Sequence, residues 1–306
     1  MSSPTGPASG LPVRMPRPRQ PGRHRRPEPL AAPEGAPALV LAVPGVPSVA
    51  TRGLAEEVVS IARSELPGLD ARIGYLDGND EFPTLQSVLT RAAEERAARF
   101  EQARAAGADV SEPDGPVAVV VPLLAGPDNA LLRRVRQAVM DSRVAADLTD
   151  VLGPHPLLAE ALHVRLSEAG LARADRARLF TVATAADGII LASVGGEDAV
   201  QAAGITGMLL AARLAVPVMA AALDEEGAIA ATAEQLRGSG SQHLALAPYL
   251  IGPELDAGLL DAAAKEAGCS AAEALGPYPA IGKLALAKYT TALGIAPQQP
   301  QRAPVR

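Results

Sequence analysis

Short apolar runs alternate along this chain with longer segments of helical periodicity. The clearest run opens the stretch Val117–Ala130 (VAVVVPLLAGPDNA), where a continuous series of apolar, mostly β-branched residues is too short to span a membrane. Such a run is typical of a strand buried on both faces, as in the middle of a parallel sheet. The segment after it, Leu131–Met140, is predicted to be helical. A ligand site in an open α/β sheet lies beyond the carboxyl ends of its strands, so the loop Ala125–Ala130 is placed where a ligand would bind.

The same alternation predicts eight strands and eight helices. The first four strands are expected at Ala38–Val43, Ala71–Gly78 (with its turn), Val117–Pro122 and Ala145–Leu152, with helices at Val49–Leu66, Pro83–Ala106, Leu131–Met140 and Leu157–Ala169. The next four strands are expected at Gly188–Ser193, Val216–Leu223, His243–Leu250 and Ser270–Leu275, with helices at Asp198–Leu214, Gly227–Leu236, Glu254–Ala267 and Ala280–Leu293. Strands that alternate with helices indicate parallel, helix-covered sheets.

An internal repeat divides the chain into two similar halves. Pro122 in the VVVPLL stretch matches Pro248 in ALAPYLIGPEL, and Gly153 matches Gly276. We therefore predict an α/β fold of two similar lobes, each a four-stranded, mainly parallel sheet with flanking helices. The predicted division is a Pro- and Arg-rich disordered tail at 1–37, a first lobe at 38–172, a second lobe at 173–295 and a disordered tail at 296–306.

Composition narrows the function classes. The net charge is −6, and residues 1–37 hold six Arg and two Glu (+4), which leaves −10 on the remaining 269 residues. An acidic body with 2% aromatic residues disfavours nucleic-acid binding. The lone cysteine, Cys269, excludes an internal disulfide and fits a reducing compartment, so a cytoplasmic protein without a membrane partner is expected. The partner of the basic tail, if it has one, is left open.

Eight turns are predicted to gather at the carboxyl edges of the two sheets. If the halves face each other, these turns line one cleft. The residues expected at this cleft are Pro44, Gly45, Asp128, Asn129, His155, Glu197, Glu254 and Asp256.

The segments VVVPLL, LGPHPLLAEAL (Leu152–Leu162) and LGPYPAIGKLAL (Leu275–Leu286) resemble the class II tetrapyrrole chelatases, the sirohydrochlorin cobalt- and ferrochelatases of the CbiX and SirB type. The resemblance covers about Ala38–Leu293. It implies two flavodoxin-like lobes that insert a divalent metal, Co²⁺ or Fe²⁺, into a tetrapyrrole of the siroheme or cobalamin pathway. In that family a His in a Gly-His-Gly-Ser turn after the first strand holds the metal, together with a second His a few residues beyond the PLLL strand.

The chain departs from this pattern at both positions. Pro44 stands in place of the first histidine, and Asn129 (or Ala130, depending on a one-residue gap) in place of the second. Proline has no ligand atom, and a neutral amide is a weaker ligand than imidazole for cobalt or iron. Metal insertion also needs a base for the pyrrole protons, a role suited to His near neutral pH.

The remaining candidates have structural alternatives. His155 is the one candidate catalytic residue, but a structural role as a turn residue bonded to local backbone is favoured over a ligand role; His163 and His243 are expected to be structural. Carboxylates such as Asp128 and Glu254 offer oxygen ligands, but acidic residues at helix starts are also ordinary caps. No glycine-rich phosphate-binding motif follows any predicted strand.

Two functional hypotheses follow from the sequence. The first is a chelatase of this family that uses non-standard ligands. The second is a non-catalytic relative that binds a tetrapyrrole, a metal or a protein partner through the same cleft, and the missing histidines favour it.

Overall fold

The computed structural model describes residues 31–33, 35–108, 114–172, 185–252, 254 and 258–294. Within them the chain forms two four-stranded parallel sheets, with strand orders β2-β1-β3-β4 and β6-β5-β7-β8. The matching orders confirm the predicted α/β fold with two similar flavodoxin-like lobes.

The first lobe contains four strands and four helices. They are β1 (Ala38–Val43), α1 (Val49–Glu65), β2 (Ala71–Tyr75), α2 (Leu85–Ala105), β3 (Ala118–Pro122), α3 (Asn129–Ser142), β4 (Ala146–Leu148) and α4 (Pro156–Glu168).

The second lobe repeats this order. Its elements are β5 (Gly188–Ser193), α5 (Glu197–Leu214), β6 (Val218–Ala222), α6 (Ala228–Gly238), β7 (Leu244–Pro248), α7 (Leu259–Glu266), β8 (Ser270–Ala271) and α8 (Pro279–Ala292). The lobe boundary predicted at 172/173 stays a prediction, because residues 173–184 lie outside the described residues. Nearly all residues of the two predicted tails also lie outside them.

Local signals set several boundaries. Ser48 caps α1 by accepting a hydrogen bond from the amide of Thr51. Pro83, expected in the first turn of α2, precedes the helix instead, because Thr84 takes the cap position.

The edge strands β4 and β8 are shorter than predicted. Each ends within three residues, and the chain beyond it contacts its neighbour at intervals, for example where Leu152 donates to the Leu124 carbonyl and Leu275 donates to the Leu250 carbonyl. Apolar pattern alone does not separate a strand from an extended segment that touches the sheet at intervals. Helix α7 was also predicted too long, because Glu254 lies in the preceding turn.

The lobes exchange their last helices, which the sequence did not predict. Helix α4 packs against α5 and β7 of the second lobe, and α8 packs against α1 and β3 of the first. Polar contacts accompany this packing: Arg165 of α4 donates to the Leu275 carbonyl, and the Tyr289 hydroxyl of α8 donates to the Pro37 carbonyl at 2.7 Å.

One hydrophobic core therefore runs through both lobes. It joins Leu41 of β1, Leu158 of α4, Ile189 of β5 and Ile281 of α8, all at most 1% exposed. Because burial of apolar surface is the main stabilising contribution to folding, neither lobe completes its core without the helix of the other.

The α1–α8 contact gives a test of this exchange. A Cβ atom on Gly282 would lie 2.6 Å from Ile61 Cβ and 2.9 Å from the Val58 carbonyl oxygen, so Gly282→Ala should lower the free energy of unfolding by about 1–3 kcal/mol. Gly53→Ala is the control, because nothing lies within 4 Å of that Cβ in the exposed middle of α1. It should raise the free energy by about 0.5–1 kcal/mol. If urea denaturation showed the same increase in the free energy of unfolding for both variants, the exchange of the last helices between the lobes would be contradicted.

Candidate functional site

The carboxyl edges of the two sheets meet at a seam between the lobes. Asn129, at the start of α3, donates from Nδ2 to Asp198 Oδ2 at the start of α5, over 2.9 Å. The loops before these helices are in close contact, since a Cβ on Gly195 would lie 2.8 Å from the Pro127 carbonyl oxygen. On the other side of the seam, a Cβ on Gly252 would lie 3.3 Å from Leu54 of α1.

Tyr249 fills the centre of the seam. It follows β7 and is fully buried, with its ring 3.1 Å from the position of a Cβ on Gly126. Its hydroxyl occupies the space that a side chain at Gly153 would need, and it receives a hydrogen bond from Thr206 Oγ1 at 3.1 Å. Burial raises the pKa of Tyr249 to about 12, so the hydroxyl stays neutral near neutral pH.

A small cavity of about 10 Å³ lies beside this tyrosine. Its lining includes Asp128, Ser193, Tyr249 and Glu254. The Ser193 hydroxyl is buried and has no hydrogen-bond partner among the residues that the structure describes. The volume suits about one water molecule, which would satisfy such a hydroxyl.

Two carboxylates at the seam, Asp128 and Glu254, accept hydrogen bonds from backbone amides. Asp128 Oδ1 caps α3 by accepting from the amides of Ala130 and Leu131. Glu254 accepts from the Ile251 and Gly252 amides at 2.7 and 3.0 Å. Burial raises the pKa of Glu254, the backbone hydrogen bonds partly oppose that rise, and the nearby charge of Asp128 adds to it.

The other predicted cleft residues are placed as follows. Pro44 is buried behind the turn after β1, and Gly45 next to it has φ +77°, a conformation that glycine adopts without strain. Glu197 is exposed in the first turn of α5. Asp256 lies outside the described residues.

His155 is the N-cap of α4. Its Nδ1 accepts a hydrogen bond from the Leu157 amide at 3.1 Å, which requires the proton of the neutral ring to be on Nε2. Burial lowers the pKa of His155, and the positive charge of Lys288 lowers it further. The neutral ring is therefore favoured, with one nitrogen engaged and the other protonated. Tyr278, its counterpart in the repeat, is likewise at the N-cap of α8.

The other two histidines of the described residues, and the cysteine, lie in structural positions. His163 is buried in α4 and accepts from Arg213 Nε of α5 at 2.8 Å, across the lobes. His243 precedes β7, at the amino edge of the sheet, where its amide donates to Asp187. Burial raises the pKa of the half-buried Cys269 thiol.

Two absences hold for the described ranges alone. Within them no three His, Cys, Asp or Glu side chains are grouped so as to hold a metal ion. Nor does that part of the chain contain a helix of sufficient length and apolar character to cross a bilayer.

The fold is similar to two solved structures. One is a multi-domain protein of Deinococcus radiodurans described as structurally similar to chelatases with two additional novel domains (TM-score 0.54, 18% identity, covering 83% of this chain and 55% of that one). The other is SirB from Bacillus subtilis, solved with Fe³⁺ (TM-score 0.56, 14% identity, covering 84% of this chain and 98% of that one). This chain thus spans about half the length of the Deinococcus protein.

No family model and no curated protein matches the chain. At identities of 14–18% the two structures establish a shared two-lobed fold with chelatase-like proteins, and they leave the chemistry to the residues of the seam.

Sequence reasoning missed Tyr249. It appeared only as one residue of a strand, yet it is one of four tyrosines in a chain with no tryptophan. The repeat contained the signal. Pro248 matches Pro122, so Tyr249 matches Leu123, and the side chain at this position is larger in the second lobe than in the first. The larger side chain, Tyr249, is the one that inserts into the other lobe.

The capping role of His155 can be separated from a catalytic one. His155→Ala should lower the free energy of unfolding at pH 8 by about 1 kcal/mol, whereas His155→Asn, which also caps well, should change it little. Because folding lowers the pKa of His155, its contribution is present above the unfolded-state pKa of about 6.5 and is lost as pH falls through the folded value. Thermal melts from pH 8 to pH 5 should fall less steeply for His155→Asn than for the wild type. Parallel curves would exclude this role.

Proposed function

We propose that this chain is a chelatase-related protein of tetrapyrrole metabolism that binds a tetrapyrrole on the exposed carboxyl edge of the first sheet, outside the closed interlobe seam, and does not insert a metal into it. The observation that carries the proposal is the replacement of both metal-binding histidines of the resembling family. Pro44 is buried and has no ligand atom, and Asn129 is engaged with Asp198 across the seam.

Among the described residues, no side chain at the seam is available for the chemistry of metal insertion. Insertion needs a ligand for the incoming ion and a base for two pyrrole protons. His155, the nearest substitute, uses Nδ1 as a helix cap and carries its proton on Nε2, so it offers no lone pair unless α4 loses its cap. Asp128 and Glu254 are similarly held by backbone amides.

Retained binding is supported by the surface at this edge of the sheet. Val46 and Val49, in the turn after β1 and at the start of α1, are 80% and 77% exposed. Two exposed valines at the carboxyl edge of β1 offer an apolar surface at the place where α/β proteins bind ligands. A flat tetrapyrrole ring is a ligand of matching character. The solved SirB, which shares the fold, holds Fe³⁺.

The direct test is a spectroscopic insertion assay with sirohydrochlorin and Co²⁺ or Fe²⁺. We expect no rate above the spontaneous one, together with a saturable shift of the tetrapyrrole absorption spectrum on addition of protein. A rate clearly above background that disappears in His155→Asn, which preserves the cap, would establish a chelatase with non-standard residues. Absence of both rate and shift would reject tetrapyrrole binding.

The location of binding has its own test. Val46→Ser and Val49→Ser should each weaken the tetrapyrrole affinity about tenfold, because each removes about 1.5 kcal/mol of apolar contact. Met140→Ser is the matched control: Met140 is 71% exposed but lies near the carboxyl end of α3, remote from the carboxyl edge of the sheet. An equal loss in all three variants, measured by spectroscopic titration, would show that binding is not at this edge of the sheet.

A further inference from the structure

Two carboxylates from equivalent places in the repeat meet at the seam between the lobes. Pro122 matches Pro248 at an offset of 126 residues, and the same offset relates Asp128 to Glu254. Asp128 follows β3 of the first lobe, Glu254 follows β7 of the second, and both line the small cavity beside Tyr249. Burial raises the pKa of Glu254 and the nearby charge of Asp128 raises it further, so the two groups interact across the seam.

Neither carboxylate is neutralised by a basic side chain. Among the residues that the structure describes, no Lys, Arg or His forms an ion pair with Asp128 or Glu254. Their hydrogen-bond donors are neutral backbone amides, two on Asp128 Oδ1 and one on each oxygen of Glu254. Asp128 Oδ2 and the second lone pairs of the Glu254 oxygens remain for a ligand. Burial of a charge is costly unless it is paired, which favours a positive ion between the two groups.

The hydroxyl of Ser193 is an independent sign of a ligand in this cavity. Ser193 ends β5, is 1% exposed and lines the same cavity. Its Oγ has no hydrogen-bond partner in the part of the chain that the structure describes. Buried polar side chains are almost always partnered, so an occupant is expected. A water molecule would satisfy the hydroxyl but would leave the charges of the carboxylates uncompensated, whereas a cation meets both requirements.

The atoms around the cavity match a hard cation. Asp128, Ser193 and Glu254 offer only oxygen, and oxygen ligands suit Ca²⁺ and Mg²⁺ better than cobalt or iron. Mg²⁺ usually keeps several of its water molecules, for which a cavity of about 10 Å³ has no room. Ca²⁺ binds carboxylate oxygens directly, and its two charges balance the two carboxylates.

We propose that the interlobe cavity is a Ca²⁺ site, with Asp128 of the first lobe and Ser193 and Glu254 of the second as its ligands. The ion joins the lobes at the place where Asn129 already bonds to Asp198. It is a resident structural ion, enclosed beneath the seam and separate from the exposed valines of the proposed tetrapyrrole surface. The site therefore does not rest on the proposed function.

Thermal unfolding of the full chain tests the site. After dialysis against EDTA, Ca²⁺ added at constant ionic strength should raise the melting temperature saturably, because the ion binds the folded state. The expected rise is about 5 °C at about 100 times the dissociation constant. The EDTA-treated wild type with no saturable rise would overturn the proposal and would leave only water or a shared proton in the cavity.

Variants connect this rise to the cavity. Asp128→Asn should abolish it, because asparagine still caps α3 but has no charge. Ser193→Ala should shift the Ca²⁺ titration to higher concentration. Glu197→Gln is the matched control, since Glu197 is exposed in the first turn of α5 and does not line the cavity, and it should leave the rise unchanged. An unchanged rise in Asp128→Asn, or an equal loss in Glu197→Gln, would contradict the site.

Terbium luminescence locates the ion directly. Tb³⁺ replaces Ca²⁺ at oxygen sites and emits when a nearby tyrosine is excited, and Tyr249 lines the cavity in a chain without tryptophan. Wild-type emission should saturate and should be displaced by excess Ca²⁺. Tyr249→Phe should lose most of the emission, with circular dichroism as the check of its fold, whereas Tyr278→Phe at the N-cap of α8 should retain it. Emission that persists in Tyr249→Phe, or that Ca²⁺ does not displace, would place the ion elsewhere and overturn the proposal.

Discussion

The insertion of Tyr249 between Gly126 and Gly153 is the contact on which the rest of the molecule depends. Its ring and hydroxyl fill space that any larger residue at either glycine would occupy, and its hydroxyl is satisfied by Thr206 of α5. The side chain of the second lobe thus completes the carboxyl edge of the first. With α4 and α8 exchanged around it, the two lobes share one core.

This arrangement explains why the seam is poor in available chemical groups. Asn129 joins the lobes through Asp198, Asp128 and Glu254 hold turns through backbone amides, and His155 begins the exchanged helix α4. In the resembling chelatases the equivalent edge carries histidines that hold a metal. Here the edge joins the lobes, and the exposed valines of the β1 turn form the surface at which we propose that a ligand binds.

Much of the fold was accessible from the sequence because strand pattern and helix periodicity repeat. Strands β1 and β5 have the predicted bounds, and the matched landmarks Pro122 and Pro248 end equivalent strands. The exchange of α4 and α8 was not accessible, because an apolar helix face does not specify which sheet it covers. The lengths of the edge strands β4 and β8 were overestimated for a related reason, since an extended segment has the same apolar pattern as a strand.

The sequence predicted that the candidate residues lie at the carboxyl edges of the sheets but not how their side chains are used, and their role as a ligand site stays a prediction. The departures from the resembling family, Pro44 and Asn129 at positions where that family carries histidines, were visible in the sequence. The cap formed by His155 and the amide contacts of Glu254 depend on backbone geometry that residue spacing does not specify. Tyr249 was overlooked because strand patterns treat a buried tyrosine as one more apolar residue, although its size relative to Leu123 distinguishes the two lobes.

The central claim is that the edge of the sheets joins the two lobes into one cooperative unit, and calorimetry tests it directly. A single unfolding transition, with a calorimetric enthalpy equal to the van 't Hoff enthalpy, is the result that a shared core predicts. Two resolved transitions, or a calorimetric enthalpy well above the van 't Hoff value, would show that the lobes unfold independently and would contradict the account.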